Sequence, residues 1–188
     1  SAGAWTYTAN TAHNEFAAGS NYTDSITVAT ADGTTQVITV TIAGTNDAAV
    51  ITGTSTASLT ETNAVLTASG TLTASDVDSS AAFVAQSAVA GSNGYGVFSI
   101  DSAGAWTYTA NTAHNEFAAG SNYTDSITVA TADGTTQVIT VTIAGTNDAA
   151  VITGTSTASL TETNAVLTAS GTLTASDVDS SAAFVAQS

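Results

Sequence analysis

The chain has 188 residues with no Lys and no Arg against 15 Asp plus Glu, so its net charge of −15 has no internal counter-ion. That charge excludes the basic surface of a nucleic-acid binder and disfavours anionic membranes. The absence of Cys excludes disulfides and a thiol nucleophile, and 43% apolar against 8% charged residues is the reverse of a disordered composition.

Residues 1–87 recur letter for letter as residues 102–188, a period of 101. A solenoid unit runs about 20–50 residues; this period is the size of a small domain. Identical copies in tandem point to length or multivalency. Repeat boundaries are expected at Asn46 and Asp47 and at Asn147 and Asp148. Residues 1–47 then form the C-terminal part of one repeat. Residues 48–148 form a complete repeat, and residues 149–188 the N-terminal part of the next.

Thr, Val and Ile dominate short alternating runs, which favour strands. In the complete repeat the first run covers residues 50–58. The second covers 65–75 and is broken by Gly70, where a bulge is expected. The third is 82–87 and the fourth 95–100. The fifth, 105–110, puts Trp106 and Tyr108 on one face. The sixth, 125–131, turns Ile127 and Val129 inward, and the seventh, 136–143, alternates Ile139, Val141 and Ile143 with Thr140 and Thr142.

Tight turns are expected at residues 101–104 and 132–134. Residues 111–123 are too long for a hairpin, and one helical turn is expected around His114. Seven strands in about 100 residues predict an all-β, immunoglobulin-like seven-strand antiparallel sandwich in tandem repeats. Strands of this length predict that each repeat adds roughly 40 Å of reach.

Successive antiparallel strands sort the acids between two poles. Asp76, Asp78, Asp101 and Asp133 fall at the N-terminal pole, beside Asn46 and Asp47. Glu61 falls at the C-terminal pole, with Glu116 and Asp125 near it, beside Asn147 and Asp148. No acid is expected mid-strand on an apolar face. Like charges crowded at a junction repel by of order 1 kcal/mol or more per close pair. Carboxylate and amide oxygens are the ligands Ca²⁺ prefers, and an Asp-x-Asp spacing brings two carboxylates from one loop onto one ion.

The order VTIAGTNDAAVITG, LTE, GTLTASDVDS, GYGVFSIDSAGAWTYT and YTDSITVATADGTTQVITVTIAGTND resembles the VCBS repeat. It also resembles the extender repeats of giant RTX-type biofilm adhesins, the large adhesion protein family. The resemblance covers the whole chain. It implies a Ca²⁺-dependent Ig-like sandwich, secreted by a type I system and displayed on the bacterial surface as a spacer carrying terminal adhesive domains. Cadherins use similar chemistry, with ligands from one domain's end, the linker and the next domain's DxD loop. By that analogy one junction uses Glu61, Asn147, Asp148, Asp177 and Asp179. The other uses Asn46, Asp47, Asp76 and Asp78, and Glu162 is the copy of Glu61.

Other residues carry alternatives. Asp101 joins the N-terminal cluster or holds its own turn. Asp133, in Ala-Asp-Gly, reads as a turn former, and Glu116 and Asp125 are ligands or loop hydrogen-bond acceptors. Trp106 and Tyr108 read as core rather than a sugar platform. Tyr123 hydrogen-bonds across the corner before the sixth strand or lies on the surface. His114 reads as a loop-surface His, since one His without Cys or a second His nearby makes a poor transition-metal site.

Nothing resembles a nucleophile elbow or HExxH, so no enzyme is expected. The reading is a structural extender of an extracellular adhesin with Ca²⁺ as its cofactor and neighbouring repeats as its partners. The alternative is a multivalent module for weak glycan binding or homophilic adhesion. Because both end pieces are incomplete, head-to-tail association is expected, with the N-terminal piece of one molecule pairing with the C-terminal piece of another.

Overall fold

In the computed structural model, which describes residues 3–187, every regular element is a strand. A hairpin comes first, β1 (Asn21–Ala29) with β2 (Thr35–Ala43). Eight strands follow: β3 (Val50–Gly53), β4 (Thr56–Thr60), β5 (Thr67–Ser75), β6 (Gln86–Ala90), β7 (Gly96–Ile100), β8 (Ala105–Ala110), β9 (Asn122–Ala130) and β10 (Thr136–Ala144). Finally β11 (Val151–Gly154) pairs with β12 (Leu173–Ser176). The eight central strands form two sheets, one in the order β3-β5-β8-β7-β6 and the other β4-β10-β9. β4 runs parallel to β10, and the other neighbours in these sheets are antiparallel.

The two-residue period places the core between these sheets. β8 alternates buried Trp106, Tyr108 and Ala110 with exposed Ala105, Thr107 and Thr109. β10 buries Ile139, Val141 and Ile143, all at 0% exposure. Phe98 and Ile100 of β7, Leu72 of β5, and Ile127 and Val129 of β9 complete the cluster with Phe83 and Phe117. Burying each large apolar side chain contributes about 1.5–3 kcal/mol.

The expected all-β sandwich stands, with local differences. The first predicted run is two strands in different sheets. It breaks after Gly53, whose φ of 103° is open to glycine and whose added Cβ would lie 2.4 Å from the Thr71 carbonyl oxygen. The expected bulge at Gly70 is absent, because the register passes unbroken through Gly70 opposite Trp106. Glycine is needed there for space: a Cβ would lie 2.7 Å from the indole. That indole donates from Nε1 to the Thr54 carbonyl at 2.7 Å, tying the sheet crossing to the core.

The third run is displaced. Phe83 makes one isolated bridge to Thr131, and the strand itself is Gln86–Ala90, with a register shift between Gln86 and Val89. The stretch around His114 is a turn closed by the Phe117 amide on the His114 carbonyl at 2.9 Å, not a helical turn. Both predicted tight turns are present, with Gly104 and Gly134 at positive φ.

Candidate metal centre at the repeat junctions

The linker between β2 and β3 meets two loops at one end of the sandwich. The Asp47 amide donates to Asp78 Oδ1 at 3.3 Å. Within the following loop Asp76 Oδ1 accepts from the amides of Asp78 and Ser79 at 2.9 and 2.7 Å, and its Oδ2 accepts from the Ser79 hydroxyl. Those donors hold the Asp76 carboxyl below the usual range, the Asp78 amide first. Burial, reinforced by the neighbouring Asp76 and Asp47 charges, pushes Asp78 the other way. Asp78 Oδ2 is buried without a hydrogen-bond partner.

Asp133 fixes the same linker from the β9–β10 turn. Its Oδ1 accepts from the Thr131 hydroxyl and the Thr135 amide. Its Oδ2 accepts from the Thr135 hydroxyl at 2.7 Å, the Ala49 amide at 3.0 Å and Asn46 Nδ2 at 3.5 Å. This donor set, led by the two Thr hydroxyls, holds Asp133 far below the ordinary carboxylate range. Asp133 is thus a turn former that also ties down the linker. The signal for it was the symmetric Thr-Ala-Asp-Gly-Thr segment, which puts a hydroxyl on either side of one carboxylate.

The second junction repeats the first and adds Glu61. Asp148 donates its amide to Asp179 Oδ1 at 3.3 Å, and Asp177 Oδ1 accepts from the Asp179 and Ser180 amides at 3.1 and 2.9 Å. These amides hold Asp177 low, Asp179's first. Asn147 Nδ2 donates to the Asp148 carbonyl at 2.8 Å. Glu61, just after β4, is 2% exposed. Its amide bonds the Ala144 carbonyl at 2.8 Å, and its Oε2 accepts from the Thr146 hydroxyl. Burial, then the charges of Glu61, Asp179 and Asp177, push the Asp148 carboxyl up.

Glu61 Oε1, Asp148 Oδ2 and Asp179 Oδ2 are buried with no hydrogen-bond partner. Groups of this kind are costly unless something pairs with them. They come from the end of one repeat, the linker and the next repeat's DxD loop. Hard oxygens with no nitrogen or sulfur among them suit Ca²⁺ in donor chemistry. Among the described residues, no three His, Cys, Asp or Glu side chains are gathered into a ready-made cage.

The remaining acids fall elsewhere. Asp101 holds its own turn, its Oδ1 accepting from the Ala103 and Ala105 amides at 2.9 Å each. Glu162 is exposed in a segment without strand pairing. Glu116 is held low by its bond to His114, Nδ1 to Oε1 at 2.8 Å.

Asp125 overturns the expectation that no acid lies mid-strand on an apolar face. It sits in β9 on the face of Ile127 and Val129 and is 0% exposed. The loop between β6 and β7 closes over it. Asn93 and Gly96 donate their amides to Oδ1 and Oδ2 at 2.9 and 3.0 Å, and a Cβ on Gly91 would lie 2.1 Å from the carboxylate. Burial, together with this carboxylate, pushes the Tyr108 phenol far above its ordinary value.

His114 is also not a surface residue. It is 6% exposed, stacks on Phe117 with centroids 4.6 Å apart, and bonds the Tyr95 carbonyl through Nε2 at 2.7 Å. Tyr123 stacks on Phe117 at 3.8 Å and accepts the Ala118 amide on its hydroxyl at 3.1 Å, which makes the corner bond. Trp106 and Tyr108 are core, at 1% and 0% exposure.

The family described as bacterial cadherin-like domain matches residues 46–145. No curated protein matches the chain.

Proposed function

Since this chain belongs to the bacterial cadherin-like domain family, we propose that its repeats are the extender of a secreted bacterial surface adhesin, stiffened by Ca²⁺ at the junctions. The observation that carries this reading is the set of three buried, unpartnered oxygens of Glu61, Asp148 and Asp179 between two consecutive repeats. Glu61, Asn147, Asp148, Asp177 and Asp179 would hold the ion at one junction. Asn46, Asp47, Asp76 and Asp78 would contribute at the other. Bound there, Ca²⁺ supplies the positive charge that the chain itself lacks.

The protein's part is positional. The Asp179 and Ser180 amides orient Asp177, the Asp148 amide orients Asp179, and Thr146 orients Glu61. Each holds one carboxylate oxygen and leaves another for the ion. Nine-residue strands such as β10 make each sandwich about 30 Å tall before its loops are added. The parts read as length and joints. Among the described residues no helix is long and apolar enough to cross a membrane. An extracellular, biofilm-related role with type I secretion belongs to the same proposal.

Small-angle scattering of four tandem repeats, with Ca²⁺ and with chelator, tests it. Ca²⁺ should lengthen and stiffen the particle, and identical curves in the two conditions would remove the stalk reading.

A further inference from the structure

His114 stands between two oxygens. Its Nδ1 lies 2.8 Å from Glu116 Oε1, and its Nε2 lies 2.7 Å from the Tyr95 carbonyl oxygen. A carbonyl oxygen only accepts. The Glu116 side chain is 60% exposed, so it keeps the solvated, ionised carboxylate that also only accepts. A neutral imidazole has one N–H and one bare nitrogen, so either tautomer would press a lone pair against one of the two oxygens. Turning the ring over would set carbon atoms against both. Only the doubly protonated ring donates to both.

We infer that His114 is held as the imidazolium in the folded repeat, and that this charge latches the loop between β8 and β9 onto the loop before β7. With no Lys or Arg in the chain, only a histidine can supply a side-chain cation. Burial opposes the charge, since the residue is 6% exposed. Two short charge-assisted bonds offset that cost. They also hold the residue at a φ of 59°, which non-glycine residues seldom adopt.

The titratable groups around the ring come from three elements. Glu116 is on its own loop. Tyr95, on the loop before β7, meets the ring edge-on with centroids 5.5 Å apart, and Tyr123 of β9 stacks, like His114, on Phe117. Asp125 of β9 is engaged by the Asn93 and Gly96 amides. Of these side chains only Glu116 bonds a ring nitrogen.

The latch bears on the linker that follows β10. The same loop takes the Gly145 amide on the Ser121 carbonyl at 2.9 Å, and a Cβ on Gly145 would lie 2.3 Å from the Phe117 and Ala118 carbonyl oxygens. Gly145 leads into Thr146 and Asn147 of the junction. As pH rises and His114 gives up one proton, a lone pair replaces one N–H, the latch opens and the seat of Gly145 loosens. This response needs no bound ion.

The test is ring-nitrogen NMR of the whole chain carrying His13→Gln, which leaves His114 as the only His. At about pH 7.5, where an ordinary His is mostly neutral, both ring nitrogens should carry hydrogen. Raising the pH to about 10 should convert the ring to the neutral pattern. Hydrogen-exchange protection at the Phe117 and Gly145 amides should fall roughly tenfold or more with that conversion, while protection at Val141 in β10 holds. Glu116→Gln removes the charge of one acceptor and should bring in the neutral pattern at lower pH. A neutral ring at about pH 7.5 in the parent overturns the proposal, and so does a ring that keeps both protons throughout. Protection that ignores the conversion overturns it too, as does a Glu116→Gln chain whose ring titrates like the parent's.

Discussion

Asp148 donates its backbone amide to Asp179 at 3.3 Å, and Asp47 donates to Asp78 at the same distance in the preceding junction. In both pairs a linker residue grips the second acid of a DxD loop. In both, that acid keeps one buried oxygen without a partner.

If that oxygen belongs to a Ca²⁺ site, removing its charge should remove the response to the ion. Ca²⁺ at about 100 times its Kd should raise wild-type stability by about 2.7 kcal/mol. Asp179→Asn should lose most of the rise in melting temperature seen on adding Ca²⁺. Calorimetry with and without chelator measures it, and an Asp179→Asn chain that responds like wild type would speak against the site.

In chelator, stability should pass through a maximum with pH. Asp78 and Asp148 have carboxyls raised on folding. Their ionisation opposes the folded state, so stability should grow as pH falls from 7 towards about 4. Asp76, Asp133 and Asp177 are lowered on folding. Their contribution is present above the ordinary Asp range and is lost as pH falls below about 4. Melting temperature against pH traces both limbs, and Asp78→Asn should flatten the upper one.

Gly70→Ala should cost about 1–3 kcal/mol, the range for overpacking a core. The new methyl would meet the Trp106 ring at 2.7 Å, and the ring is held at its Nε1 by the Thr54 carbonyl. Urea unfolding measures the loss. A red shift of the Trp106 emission would report the displaced indole.

Asp125→Ala should cost about 3 kcal/mol, because the amides of Asn93 and Gly96 lose a charged acceptor. Hydrogen exchange should accelerate first at those two amides. Unchanged protection there would mean that the loop between β6 and β7 is held by something else.

Much of the sandwich was legible from periodicity. β8 falls at residues 105–110 as alternation predicts, and β10 extends its run by one residue. The DxD loops and linkers also meet as strand parity requires. Less legible were residues whose role depends on distant partners. Gly70 reads as a bulge until Trp106 is seen opposite it. Asp125 reads as a loop acid until residues 91–96 fold over it, and His114 reads as surface until Phe117 and the Tyr95 carbonyl enclose it.

The repeat isolates the cause, since it holds sequence constant. Local sequence determined which residues alternate and where the tight turns at 101–104 and 132–134 form, because those depend on neighbours along the chain. Ala-Trp-Thr-Tyr-Thr-Ala is nonetheless a buried strand at 105–110 and unpaired at 4–9. The copy at 105–110 has β5 and β7 on either side, and the copy at 4–9 has neither. A strand's hydrogen bonds and its buried face are supplied by other segments, so only the tertiary structure decided which copy of an identical sequence became core.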